Sequence, residues 1–142
     1  MGDDLGTQFA SPCVRLSEAC RLAGHFDEAW RACCQALDLA QQQKTRGHEA
    51  RALYELGAIH AHTDLPDTAP AEAYYRQALT LAEELGQRPL QAHCHRGLGT
   101  LYATLGQQEQ ARAELSAALG LYRAMDMTFW LPQTEAALAQ VG

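Results

Sequence analysis

The chain repeats itself, and the repeat limits what it can fold into. A leucine followed by a small residue occurs at Leu16-Ser17, Leu56-Gly57 and Leu98-Gly99, at spacings of 40 and 42 residues. A second, independent pattern, Ala-x3-X-x2-Ala, occurs at Ala29-Cys33-Ala36, Ala71-Tyr75-Ala78 and Ala111-Leu115-Ala118, at spacings of 42 and 40. Two unrelated anchors with almost one period imply a single supersecondary unit used three times. Such a unit buries its apolar face only by stacking on its neighbours. The spacings of three and four within each anchor are helical. Ala and Leu, both strong helix formers, dominate the composition, while Val and Ile are scarce. The expectation is an all-α solenoid: three helical hairpins of about 40 residues and a closing helix.

Each element has a physical assignment. Gly57, Gly99, Ala29, Ala71 and Ala111 are small enough to let two helices approach closely. Leu16, Leu56 and Leu98 are expected to fill the hairpin seams, and Tyr75 and Tyr102 to plug gaps between neighbouring hairpins. Gly24 and Gly106 suit the left-handed position that ends a helix. Gly47 and Gly86 are expected to mark links between hairpins, and Pro89 fits a first helical turn, where a missing N–H costs nothing. Second helices are expected near 26–43, 69–85 and 108–125, with a Pro-rich loop over Thr63–Pro70. The organisation expected is a flexible segment at 1–11 and a repeat domain over 12–142. Its repeats fall at about 12–45, 46–87 and 88–127, with a capping helix at about 129–141 that Pro132 helps to start.

The motif Trp-x2-Leu-Gly-x2-Tyr followed by Ala-x3-Phe belongs to the tetratricopeptide repeat (TPR). His95-x2-Leu98-Gly99-x2-Tyr102 and Leu53-x2-Leu56-Gly57-x2-His60 resemble it well, and Cys13-x2-Leu16-Ser17-x2-Cys20 least. The chain from residue 12 to 142 therefore resembles the TPR family in a longer-repeat form. The segments Arg46–Ala50, Ala71–Leu79, Ala82–Gly86, Arg88–Leu90, Ala92–His95 and Tyr122–Leu131 also resemble the C-terminal TPR tail of large bacterial signalling proteins. Those proteins join a class III nucleotide cyclase and a STAND-type ATPase to such a tail. The resemblance implies a sensing and interaction role. Neither catalytic domain is represented, and no Gly-x4-Gly-Lys-Ser/Thr phosphate loop occurs.

Stacked hairpins curve, and their first helices line the inner surface. Helical periodicity places Val14, Glu18 and Arg21 there from the first hairpin; Arg51, Tyr54, Ala58 and His62 from the second; and His93, Arg96, Thr100 and Thr104 from the third. That surface carries three Arg and two His against one Glu, in a chain of net charge −6. Arg offers a planar fork for carboxylates, and Tyr54 is the kind of amphipathic anchor enriched at interfaces. The groove residues expected to bind are Arg21, Arg51, Tyr54, His62, His93, Arg96 and Thr100, and the expected ligand is a protein or peptide, acidic in character. The competing expectation is that these Arg simply pair with Glu49, Glu55 or Glu18. The Lys/Asn clamp of chaperone-binding TPRs is not present at Val14, Glu18, Tyr54, Ala58, Arg96 and Thr100.

Other residue clusters are read as packing. His60, His62, His93, Cys94 and His95 do not converge at helical spacing, so no metal site is expected. Cys33-Cys34 lacks the Cys-x2-Cys spacing, and Cys20 and Cys33 read as small core residues. Phe129 and Trp130 are expected to pack the last helix, and Trp30 is a further aromatic candidate. No acid–base constellation stands out, so neither an enzyme nor a cofactor is expected. The acidic balance argues against nucleic acid. Five unpatterned cysteines and the absence of a signal sequence or membrane span point to the cytoplasm. A small-molecule or signal-peptide sensor is the alternative function. If the chain is excised from a longer one, self-association through an uncapped N-terminal repeat face is expected.

Overall fold

The computed structural model describes residues 13–63 and 67–141. All regular structure among them is helical, as the repeat requires. Helix α1 covers 13–22. The others are α2 (Phe26–Gln43), α3 (Arg46–His62), α4 (Thr68–Leu85), α5 (Arg88–Thr104), α6 (Gln108–Ala124) and α7 (Leu131–Val141). The chain forms two compact units, Met1–Leu81 and Ala82–Gly142. The segment expected to be flexible, 1–11, lies outside the described residues.

In the first unit, α2 buries Ala29, Cys33, Ala36 and Ala40, one stripe at spacings of four, three and four. Helix α3 is different. Every residue from Ala52 to Ile59 is buried, so it is enclosed on all sides rather than amphipathic. Its Ala52, Leu56 and Ile59 share a cluster with Val14 of α1 and Ala29, Cys33 and Ala36 of α2. Its Gly57 faces α4: a Cβ there would lie 2.8 Å from the Tyr75 ring. Tyr75 thus seats on a glycine inside its own hairpin instead of bridging hairpins.

Leu16, expected in a seam, is 58% exposed. Its counterpart Leu56 is buried because the second helix of the preceding hairpin, α2, lies against it, and no described helix precedes α1. Ser17 does occupy the close-approach position. It is fully buried, and its hydroxyl donates to the Ala29 carbonyl at 2.7 Å.

In the second unit, α5 and α6 pack through Gly99, where a Cβ would come within 2.6 Å of Leu115 Cγ and 3.1 Å of the Leu115 backbone nitrogen. Leu98, Tyr102, Leu115, Ala118 and Tyr122 are buried. Trp130 and Leu131 bring α7 onto the cluster of Ala92, Ala118 and Tyr122. Phe129 does not join it and is exposed. Its ring only meets Trp130 edge-on at 4.9 Å, because the three residues before α7 form a turn that directs successive side chains apart.

The helix ends share one device. The left-handed position is held by Gly24, Lys44, Gly86, Gly106 and Asp126. At each, the next residue's N–H reaches back five residues: His25 to Cys20, Thr45 to Ala40, Gln87 to Ala82, Gln107 to Tyr102 and Met127 to Tyr122, at 2.8–2.9 Å. The left-handed residue itself bonds back three residues. This is the Schellman termination, which satisfies two otherwise orphaned carbonyls. The link expected at Gly47 is therefore made by Lys44 and Thr45, and Gly47 lies inside α3. Pro89 falls in the first turn of α5, as expected. Pro70 lies within the first turn of α4, so the expected loop ends sooner than Pro70. Its Asp64, Leu65 and Pro66 lie outside the described residues.

Candidate functional site

In the first unit the side chains expected on the inner face divide into buried and accessible groups. Val14, Tyr54 and Ala58 are buried. Tyr54 lies 5.6 Å from the Tyr75 ring and beneath the Arg51 guanidinium, so it is a packing residue more than an open anchor. His62 is exposed, with Nδ1 2.8 Å from the Ala58 carbonyl of its own helix.

Two ion pairs join α1 to α3 with opposite polarity. Arg21 Nε donates to Glu55 Oε2 at 2.5 Å, and Arg51 donates to Glu18 Oε2 at 3.2 Å. The first pair is internal, with side chains 14% and 0% exposed. The second is open to solvent, at 39% and 42%. Glu55 Oε1 has no hydrogen-bond partner. Burial pushes the Glu55 carboxyl above its ordinary value. The hydrogen bond and charge of Arg21 oppose that rise, and Glu18 adds to it.

The expected excess of positive charge is thus cancelled along these two turns, because Glu55, absent from the predicted surface, supplies a second carboxylate. The positive surplus lies one turn earlier. A depression of about 250 Å³ is lined by Val14, Arg15, Glu18, His48 and Arg51. Neither Arg15 nor His48 has an ion pair or side-chain hydrogen bond among the described residues.

In the second unit, His93, Arg96 and Thr100 follow one another along α5 at helical spacing. Arg96 lies over the Trp130 ring, 4.5 Å from its centroid, and its Nε donates to the Tyr122 hydroxyl at 3.3 Å. His93 Nδ1 is 2.7 Å from that same hydroxyl, and its ring meets Trp130 edge-on at 5.0 Å. A guanidinium on an indole face is a favourable cation–π arrangement. Thr100 and Thr104 are exposed, but their hydroxyls donate to the carbonyls of Arg96 and Thr100. A separate cavity of about 350 Å³ is lined by Thr100, Thr104, Gln108, Leu115, Gln140 and Val141, among others.

The remaining candidates are structural. His60 stacks on Tyr74 at 5.6 Å and meets Trp30 edge-on at 5.0 Å, so Trp30 is tied into packing. His95 Nδ1 is 2.6 Å from Glu114 Oε2. Among the described residues, no three His, Cys, Asp or Glu side chains are grouped to hold a metal ion. The Cys33 thiol is buried and donates to the Ala52 carbonyl. Burial first, then the charge of Glu55, pushes it up to about 12, which leaves it protonated and unreactive at neutral pH.

Sequence reasoning missed Glu55, Arg15, His48, Tyr122 and Trp130 as parts of these sites. One signal was available for Glu55. It is the lone charged residue in the run Ala52–Ile59, and Glu18/Arg21 and Arg51/Glu55 carry opposite charge orders at helical spacing.

A family model described as Tetratricopeptide repeat matches residues 48–124, more than half of the chain, from the first turn of α3 to the end of α6. No curated protein matches the chain significantly.

Proposed function

The chain belongs to the tetratricopeptide repeat family, whose hairpins in general mediate protein–protein interaction and act as non-catalytic scaffolds, and on that premise we propose that it binds a polypeptide partner through side chains on α1, α3 and α5. The observation that carries this reading is the pair of positions Arg51 and Arg96. Each is partly exposed on the first helix of a hairpin and braced by an aromatic ring, Tyr54 in one case and Trp130 in the other. An aromatic-braced Arg loses little conformational freedom on binding and is the residue type that dominates interface energetics. His62, His93 and Thr100 extend these surfaces. Arg21 and Tyr54 contribute from beneath, by fixing α1 and Arg51. The cationic side chains within a chain of charge −6 favour an acidic partner surface.

Charge reversal tests the proposal. Wild-type chain and the double variant Arg51→Glu/Arg96→Glu are immobilised and exposed to the same extract of the source cell. Proteins retained by the wild type are expected to be lost from the variant, whose helicity should be unchanged. Equal retention refutes the reading.

The similarity to the TPR tails of bacterial signalling proteins supports a regulatory or sensing role, and five free cysteines, two of them buried, support a reducing, cytoplasmic setting. Among the described residues no helix is long and apolar enough to cross a membrane. The α5–α7 cavity, with its threonine and glutamine side chains, favours the second reading, a small-molecule sensor.

A further inference from the structure

We infer that the depression between α1 and α3, bounded by Arg15, Glu18, His48 and Arg51, is a receptor for a single carboxylate group of a partner polypeptide, and that Glu18 occupies Arg51 as an exchangeable placeholder. The inference rests on the binding role assigned above to the α1/α3 surface, and it names the ligand chemistry there.

The two ion pairs joining these helices are not equivalent. Arg21–Glu55 is internal, so separating it would strand a carboxylate in a dry site. Arg51–Glu18 is two-fifths exposed on both sides, and water supports either member when they part. Such pairs contribute about 0–1 kcal/mol, so an incoming carboxylate can take over the Arg51 fork at little cost. Arg15 and His48 stand on the rim with no competing carboxylate among the described residues. They supply the donors that make exchange favourable instead of neutral. Val14, buried beneath, gives the floor an apolar contact for the methylene groups of a side chain. Because Glu18 stays in the wall, a doubly charged phosphate meets more repulsion than a singly charged carboxylate does. A volume of about 250 Å³ holds one acidic side chain or one chain terminus, not a folded segment.

The test titrates isotopically labelled full chain with three small probes and follows the Arg Nε–H and His48 imidazole signals by NMR. The probes are N-acetyl-glutamate N-methylamide, its glutamine analogue, and N-acetylglycine. Saturable shifts at Arg15, His48 and Arg51 are expected with at least one carboxylate probe and not with the glutamine analogue. The probe that binds identifies the source as a side chain or a chain terminus. Arg51→Gln should abolish the shifts. Glu18→Gln should tighten the carboxylate probe about two- to fivefold, the effect of removing an exposed competing ion pair. Equal response to the glutamine analogue, or unchanged or weaker binding in Glu18→Gln, overturns the inference. The capture experiment with Arg51→Glu/Arg96→Glu can fail while this titration succeeds, and the converse removes only the depression.

Discussion

Burying Glu55 takes a carboxylate out of water and gives it one partner, Arg21, while its second oxygen stays unpaired. Buried pairs of this kind often stabilise less than apolar side chains of the same size, because desolvation offsets the attraction. Removing one member is worse, since it leaves the other charge uncompensated. Arg21→Met is therefore expected to cost about 3–5 kcal/mol, and Arg21→Met/Glu55→Leu to recover most of that loss, both read by chemical denaturation. The pH dependence has a definite sign. A carboxyl raised above its unfolded value favours folding when protonated, so its contribution is complete below the unfolded value and is lost as pH rises through the folded one. Wild-type chain should gain stability relative to Glu55→Gln as pH falls from 7 toward about 4.5, the ordinary carboxyl value. A parallel decline of the two proteins would show that Glu55 does not titrate between the folded and unfolded states. What the pair supplies in return is register: with Glu18–Arg51 reversed in polarity one turn away, α1 fits α3 in one alignment, since sliding by a turn would oppose like charges.

The helices and their hairpin contacts were readable because they rest on spacing. The stripes at Ala29-Cys33-Ala36 and Ala111-Leu115-Ala118 are buried, and the small residues Gly57 and Gly99 sit where a Cβ would strike Tyr75 and Leu115. The ends were readable only where glycine marks them. Gly24, Gly86 and Gly106 signal a left-handed residue, but Lys44 and Asp126 adopt the same conformation with side chains that disfavour it. Composition does not reveal these, although the repeat register does, since Lys44 and Gly86 stand 42 residues apart. The site was less legible for a related reason. Helical periodicity says which residues share a face, but not which charges on that face are already paired, and Arg21 and Arg51 found Glu55 and Glu18 on the neighbouring helix. The shared termination gives matched predictions. Lys44→Gly should raise thermal stability, by up to about 1 kcal/mol, and Gly106→Ala should lower it by about 1–2 kcal/mol. Opposite signs at the two positions test the conformation; the same sign at both would mean that the side chains, not the backbone, decide.

For the molecule as a whole, apolar exposure and net charge oppose one another. Leu16 and Leu22 stand 58% and 73% exposed on α1, and Leu16 occupies the repeat position that is buried in the hairpins following it. A second copy of the chain has the apolar stripes to cover them, but two chains of charge −6 repel at neutral pH and low salt. Self-association should therefore strengthen as that repulsion is reduced, either by salt, which shortens the reach of the charges to about 8 Å at 0.15 M, or by lowering the pH toward the isoelectric point near 5.4. Sedimentation equilibrium should show the dimer fraction rising with salt at pH 7. In Leu16→Gln/Leu22→Gln the same series should remain monomeric, since the substitutions remove the apolar contact and leave the charge untouched. A salt-induced dimer that persists in that variant would locate the contact elsewhere. A dimer that dissociates with salt would show that ion pairs, not apolar burial, hold the copies together, and Leu16 and Leu22 would then be ordinary surface leucines.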